Sequence, residues 1–298
     1  MSDYFQEMIG RIDARFSIDS KDMTMGDWIC ANTRLRSRPF TFSRYPFQKA
    51  IADDMHTNMD VVKPSQIGLT EVQVRKALAF IARNRGTSLI FTMPTDDMFD
   101  RLSPTRILPL VKEEKVFNLG DDKPTRSKGL IQVGTSFMYV TGSKESDATS
   151  ISADVVFNDE VDLMDQQMMA LFNSRLQNSD WKINQRFSTP TFHSFGVDAG
   201  YQRSDQHEYM CKCDACNHWN IPVFSERFID LPGLPTDMPL MEIDEAMIDA
   251  GTVNINDSQV VCEKCRAPLD LSRVENREWV ARFASRTHHR GYLSLIHI

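Results

Sequence analysis

Two short segments carry most of the chemistry that this sequence can do. One is Lys63-Pro64-Ser65-Gln66-Ile67-Gly68-Leu69-Thr70-Glu71, and the other is Ala153-Asp154-Val155-Val156-Phe157-Asn158-Asp159-Glu160. A phosphate-binding loop ordinarily reads G-x-x-x-x-G-K-[ST]. Gly68 and Thr70 match its second glycine and its hydroxyl, while Leu69 fills the lysine position and Lys63 that of the first glycine. A lysine at the start of the loop can still swing its ammonium toward the β- and γ-phosphates. The loop N–H groups and the following helix N-terminus supply the rest of an anion site. Thr70 is then a magnesium ligand, and Pro64 holds Lys63 extended as it leaves a strand. Taken alone, the loop also reads as an ordinary strand-to-helix turn with a surface lysine.

Val155-Val156-Phe157 has the signature of a buried strand, and open α/β sheets bind ligands at the carboxyl ends of such strands. Asp159 there is a candidate for holding magnesium, directly or through water, and Glu160 for polarising the attacking water. A strand followed by a charged turn is the plainer reading. The order strand, loop, helix and then a second strand ending in Asp-Glu weakens it. In Phe187-Ser188-Thr189-Pro190-Thr191, the hydroxyls of Ser188 and Thr189 are candidates for sensing the γ-phosphate and coupling hydrolysis to movement. A capped strand end before a proline turn explains them equally well. Tyr45 and Gln48 in Tyr45-Pro46-Phe47-Gln48 offer adenine a stacking face and an amide, or else form a helix N-terminus with a packed tyrosine. Arg175 is a candidate catalytic arginine, against the reading of a surface residue.

Cys213-Asp214-Ala215-Cys216 and Cys262-Glu263-Lys264-Cys265 form a CxxC…CxxC pattern. Each pair sets two thiolates on one tight turn, and two turns complete a tetrahedral zinc site. Such a closed site has a structural role and no open position for catalysis. A disulfide pair or a redox CxxC is disfavoured, by a reducing compartment and by the duplication respectively. Cys211 is expected to stay free and Cys30 to be a buried thiol. His207, His218, His288 and His289 are expected to be solvated.

The elements that must position these groups follow from periodicity. Pro46 opens a helical pattern with Phe47, Ile51 and Met55 four apart. An extended piece from Met59 to Val62 leads into the loop, and Glu71 to Asn84 follows as a helix with Val74, Leu78 and Ile81 on one face. Strands are expected at Ser88–Met93, Ser136–Val140, Asp154–Phe157 and Ile183–Phe187. Strands alternating with helices predict an α/β fold with a mostly parallel sheet covered on both faces. Residues 1–45, with Trp28 and the basic stretch Arg34-Leu35-Arg36-Ser37-Arg38-Pro39, read as a solvated segment before the domain. The core is expected over 46–205 and a zinc-ribbon-like region over 206–292.

Composition narrows the class further. With 298 residues, 41% of them hydrophobic, the chain can build a sizeable core. Its net charge of −7 argues against an all-round basic DNA-binding surface while leaving room for a local groove. No uninterrupted apolar stretch is long enough for a bilayer, and Met1 to Gly10 lacks the apolar stretch of a signal peptide. A cytoplasmic protein is expected.

The Tyr-Pro-Phe-Gln segment, the displaced-lysine loop, the strand ending in Asn158-Asp159-Glu160, the Ser188-Thr189-Pro190 segment and the paired CxxC region together resemble the lambda-type large terminase subunits of tailed bacteriophages. The likeness runs from about residue 28 to 292. It implies an additional-strand P-loop ATPase that pumps double-stranded DNA into a preformed shell, using ATP, magnesium and structural zinc. It also implies a small terminase subunit and a portal ring as partners, a homo-oligomeric assembly, no membrane, and action in the host cytoplasm. The family carries a C-terminal nuclease domain, which is expected to be missing here. The last six residues, Leu293 to Ile298, can be encoded by a transposase end used in sequencing libraries, and 293–298 are expected to be adapter read-through. Two other readings compete. One is a zinc-ribbon nucleic-acid-binding module with an inactive nucleotide fold, separable by nucleotide binding. The other is a related helicase, for which the chain has no room for a second motor domain.

Overall fold

The computed structural model describes residues 22–118, 125–142, 149–235 and 238–294. Residues 1–21 of the expected N-terminal segment and 295–298 of the expected tail lie outside them. The chain enters through helix α1 (Met25–Asn32), a hairpin of β1 (Arg34–Leu35) and β2 (Arg38–Pro39), and helix α2 (Gln48–Asp53). There follow β3 (Asn58–Val62), α3 (Leu69–Arg83), β4 (Ser88–Thr92), α4 (Asp96–Leu102), α5 (Leu108–Glu113), β5 (Leu130–Val133) and β6 (Ser136–Thr141). Next come β7 (Val155–Asp159), α6 (Gln166–Ser174), β8 (Ile183–Ser188), α7 (Gly196–Arg203), β9 (His207–Lys212) and β10 (Trp219–Asn220). The remainder is β11 (Ile229–Asp230), α8 (Glu245–Asp249), β12 (Gln259–Val260), β13 (Arg277–Ala281) and β14 (Arg290–Leu293).

The strands β14-β3-β8-β7-β4-β6 lie side by side in that order, each parallel to its neighbours. Strand β8 therefore sits between the strand that feeds the phosphate loop and the strand that ends in the carboxylates. This is the insertion that defines an additional-strand P-loop sheet. Burial on both faces explains the near-continuous apolar strands. Leu89, Phe91, Val155, Phe157 and Phe187 meet α1 and α3 on one face. On the other, Phe172 of α6 covers Ile90 and Val156, and Val197 and Tyr201 of α7 cover Val62.

Three expectations change. The segment before residue 46 is not simply solvated: Trp28 is 4% exposed and Ile29 fully buried in the main core, beside Phe40 and Phe42. The helix is short but capped, with the Asp27 amide donating to Thr24 Oγ1, and Met25, Trp28 and Ile29 share one helical face. The sheet also crosses the expected boundary at 205. Strand β13 pairs antiparallel with β9, and β14 pairs parallel with both β3 and β9, so Leu293 lies beside Val62 in the central sheet. Finally, His207 and His289 are not solvated. His289 Nε2 meets Asp60 Oδ2 at 2.5 Å, and His207 Nδ1 meets Asp205 Oδ1 at 3.0 Å. Strand β14 brings His289 beside Asp60, which Arg186 also grips at 2.7 Å. Burial alone would raise the Asp60 carboxyl, but the charge and hydrogen bonds of Arg186, with the hydrogen bond to His289, outweigh it and hold it below its ordinary range.

Candidate functional site

The loop between β3 and α3 turns on two left-handed residues, Gln66 (φ 63°) and Gly68 (φ 82°). At Gly68 a side chain would strain the turn that starts the helix. Ser65, Gln66 and Gly68 face solvent at the amino end of α3, where free N–H groups favour anions. Leu69 is only 1% exposed. The position that carries lysine in ordinary loops thus points into the core here, and the cation comes from the strand end instead.

That cation is Lys63. Its amide donates to the Ser188 carbonyl at 2.9 Å, which ties the loop to β8. Its Nζ donates to Asp159 Oδ1 (2.7 Å), Glu160 Oε1 (2.7 Å) and Thr70 Oγ1 (3.0 Å). The Thr70 hydroxyl in turn donates to Asp159 Oδ2 at 2.7 Å. Burial disfavours the ammonium, but the two carboxylates outweigh that cost and hold its pKa above the usual lysine value. A cation, a hydroxyl and two carboxylates from three separate elements therefore meet at one point.

Glu160 adopts a left-handed backbone (φ 58°), uncommon outside glycine and held here by the hydrogen bond that its amide donates to the Phe187 carbonyl at 2.7 Å. Its Oε2 accepts a long bond of 3.4 Å from the Thr189 amide. The Ser188 hydroxyl accepts from the Asp162 amide at 3.1 Å. Both expected coupling residues thus adjoin the carboxylate turn. Gln48 is buried, and its Nε2 donates to the Ile67 carbonyl at 2.6 Å, so its amide steadies the loop. Tyr45 is half-buried, with its ring 6.0 Å from that of Phe47. Arg175 is not brought to this site. Its carbonyl accepts from the Ala153 amide, at the amino end of the strand whose carboxyl end bears Asp159. Seven residues of extended chain put it roughly 20 Å from Glu160. Its guanidinium binds the Thr149 carbonyl and the Ser174 hydroxyl.

Sequence reasoning missed Asp162. Its Oδ2 accepts from the Thr191 amide (2.9 Å) and hydroxyl (3.1 Å), and its Oδ1 from the Val197 amide (2.8 Å). A Cβ on Gly196 would lie 2.3 Å from that carboxylate, so only glycine admits the clasp. The sole signal was an acid two residues after Glu160, which nothing local separates from a solvated charge.

The four expected cysteines converge, with all their sulfurs within 4.8 Å of one another. Cys213 and Cys265 Sγ are 3.7 Å apart, and Cys216 and Cys262 Sγ 3.6 Å. Zn–S bonds of about 2.3 Å place tetrahedral sulfurs about 3.8 Å apart, so the donor set fits. The two turns match each other. Asn217 and Arg266, each following its CxxC, take φ of 58° and 60° and bond back to the carbonyls of Cys213 and Cys262. Burial opposes ionisation of Cys262, but amides of Cys265 and Lys264 and the neighbouring thiols bring its pKa down to about 6. Cys211 is buried outside the cluster, and Cys30 is half-buried against the main core.

Fold and site define a P-loop nucleotide-binding protein of the additional-strand class. The family model for the phage terminase large subunit gpA, ATPase domain, matches residues 36–280, and the chain belongs to that family. Among solved structures, an ATPase-domain mutant of the Thermus phage P74-26 large terminase is 20% identical, with a TM-score of 0.38 over 49% of this chain and 64% of that one. A large terminase from a thermophilic bacteriophage is 18% identical, with a TM-score of 0.35 over 50% of this chain and 38% of that one. The HK97 bacteriophage large terminase is 15% identical, with a TM-score of 0.47 over 60% of this chain and 40% of that one. The chain thus spans less than two thirds of each. No curated protein matches. No helix of the described residues is long and apolar enough to cross a membrane.

Proposed function

We propose that this chain is the ATP-hydrolysing motor of a viral terminase large subunit, which drives double-stranded DNA into a phage procapsid in the host cytoplasm. The observation that carries this reading is the convergence of Lys63, Thr70, Asp159 and Glu160, from a displaced-lysine loop and a strand end separated by one inserted strand. Lys63 turns from the carboxylates to the β- and γ-phosphates when ATP enters. Thr70 and Asp159 offer the hydroxyl and carboxylate oxygens that magnesium prefers. Magnesium supplies charge neutralisation on the phosphate oxygens. Glu160 orients and polarises the attacking water. Ser188 and Thr189, bonded to the carboxylate turn, carry the change toward DNA. Tyr45 and Gln48 border the adenine. Arg175 takes no part at this chain's own nucleotide. The cysteines hold a structural zinc. The small terminase subunit, the portal ring and further copies of this chain complete the machine.

The deciding experiment is equilibrium Mg-ATP binding to the whole chain beside Lys63→Ala. Binding that the substitution abolishes supports the motor. No binding, in protein shown to be folded and zinc-loaded, overturns it in favour of a nucleic-acid-binding module with an inactive nucleotide fold.

A further inference from the structure

The chain is acidic, yet residues 28–52 contain no Asp or Glu and five cations: Arg34, Arg36, Arg38, Arg44 and Lys49. Lys49 is committed to Asp27 and Asp53. The four arginines differ. Residues 34–39 and Arg44 are all exposed, and among the described residues none of these guanidiniums has a carboxylate partner. Three of them line the β1–β2 ribbon, and the fourth lies just past its base.

The ribbon is held firmly. Its tip places Arg36 and Ser37 at left-handed φ of 51° and 65°, positions that hairpins ordinarily give to Asn and Gly. The Phe40 amide closes the base on the Thr33 carbonyl at 3.0 Å, and Phe40 and Phe42 are buried in the core. Arg75 of α3 donates to the Arg34 carbonyl at 2.8 Å and stacks on the Phe40 ring. Arg75 also pairs with Glu71, the residue after Thr70. The ribbon is thus fastened to the helix whose amino end forms the phosphate site.

We infer that this arginine ribbon, with Arg44, grips the sugar-phosphate backbone of duplex DNA. The inference rests on the motor reading for its substrate and adds the surface that holds it. Guanidiniums without carboxylate partners, Arg44 stacked on the Tyr45 ring and the other three along a two-stranded ribbon, suit successive phosphates better than a single bound nucleotide, and such a ribbon fits a major groove. Contacts to phosphate are independent of sequence, as a translocating motor requires. The attachment to α3 links the ribbon's base to the nucleotide loop.

The test is duplex binding by the whole chain across a salt series, read by fluorescence anisotropy. Wild type is compared with Arg34→Gln/Arg36→Gln/Arg38→Gln/Arg44→Gln and with the matching Arg→Lys set, and Mg-ATP binding is measured on the same samples. Each phosphate that is no longer neutralised lowers the slope of log K against log salt by about 0.9, so the Gln set should lower it by about 3 to 4. The Lys set should keep the slope, and Mg-ATP affinity should be unchanged in all. An unchanged slope in the Gln set overturns the ribbon while leaving the motor standing. Wild type that binds Mg-ATP but no duplex overturns it too. Intact DNA binding with turnover abolished only in the assembled ring would also overturn it, by assigning the arginines to a neighbouring copy's nucleotide. Absent Mg-ATP binding tells separately against the motor.

Discussion

Lys63 Nζ and Glu160 Oε1 stand 2.7 Å apart, joining the start of the phosphate loop to the end of a strand 97 residues later. The same ammonium holds Asp159, so the loop's cation rests on the two groups assigned to magnesium and water. On the proposed reading, nucleotide entry redistributes these contacts. In the proposed motor, Lys63 would gain phosphate oxygens as it gives up carboxylates, and Glu160 would become free to face water.

Glu160→Gln should leave Mg-ATP affinity nearly unchanged and cut turnover by about 10²- to 10⁴-fold, the usual worth of a general base. Calorimetric binding and phosphate release from the assembled motor check both halves. Unchanged turnover removes Glu160 from the mechanism.

Lys63→Ala should also cost stability, because it leaves the buried Asp159 without its cation. Breaking one side of a buried pair costs about 3 kcal/mol or more. Urea unfolding of the two proteins reads this directly, and equal midpoints would show that the contact adds nothing to the fold.

Asp162→Ala removes three accepted bonds that clasp residues 191 and 197. Mg-ATP affinity should hold while turnover falls, and hydrogen exchange at the Thr191 and Val197 amides should quicken. Slower turnover with unchanged exchange would place the effect elsewhere.

Metal analysis should find one zinc per chain. Cys262→Ser should lose it, and Cys211→Ser should keep it, since Cys211 lies outside the four-sulfur cluster. Zinc retained in Cys262→Ser would break the assignment.

Lys76 is fully buried, and desolvation lowers its pKa to about 7. Its Nζ donates to the carbonyls of Ile51 and Asp54 and to Gln185 Oε1. The unfolded chain therefore binds more protons than the folded one between that value and the ordinary lysine value, and stability contributed by this group rises with pH across that window. It is lost as pH falls through about 7. Lys76→Met should flatten the pH dependence of the urea midpoint between about 7 and 10. An unaltered dependence would show that another group sets it.

What the sequence determined by itself was mostly local. Gly68 is needed where φ is positive, Val155 to Phe157 suits only a strand buried on both faces, and each CxxC sets two sulfurs on one turn. These depend on neighbours in the chain, so residue type and spacing suffice to read them. The tertiary structure alone decided that β8 lies between β3 and β7, that β14 returns to the central sheet, and that Arg175 stands at its far edge. It also decided the clasp of Asp162, the burial of Trp28 and the pairing of His289 with Asp60. The physical reason is the same throughout. Strand order and side-chain partners are chosen by burial and hydrogen bonding between segments far apart in sequence, and one strand's residues say little about which strand lies beside it.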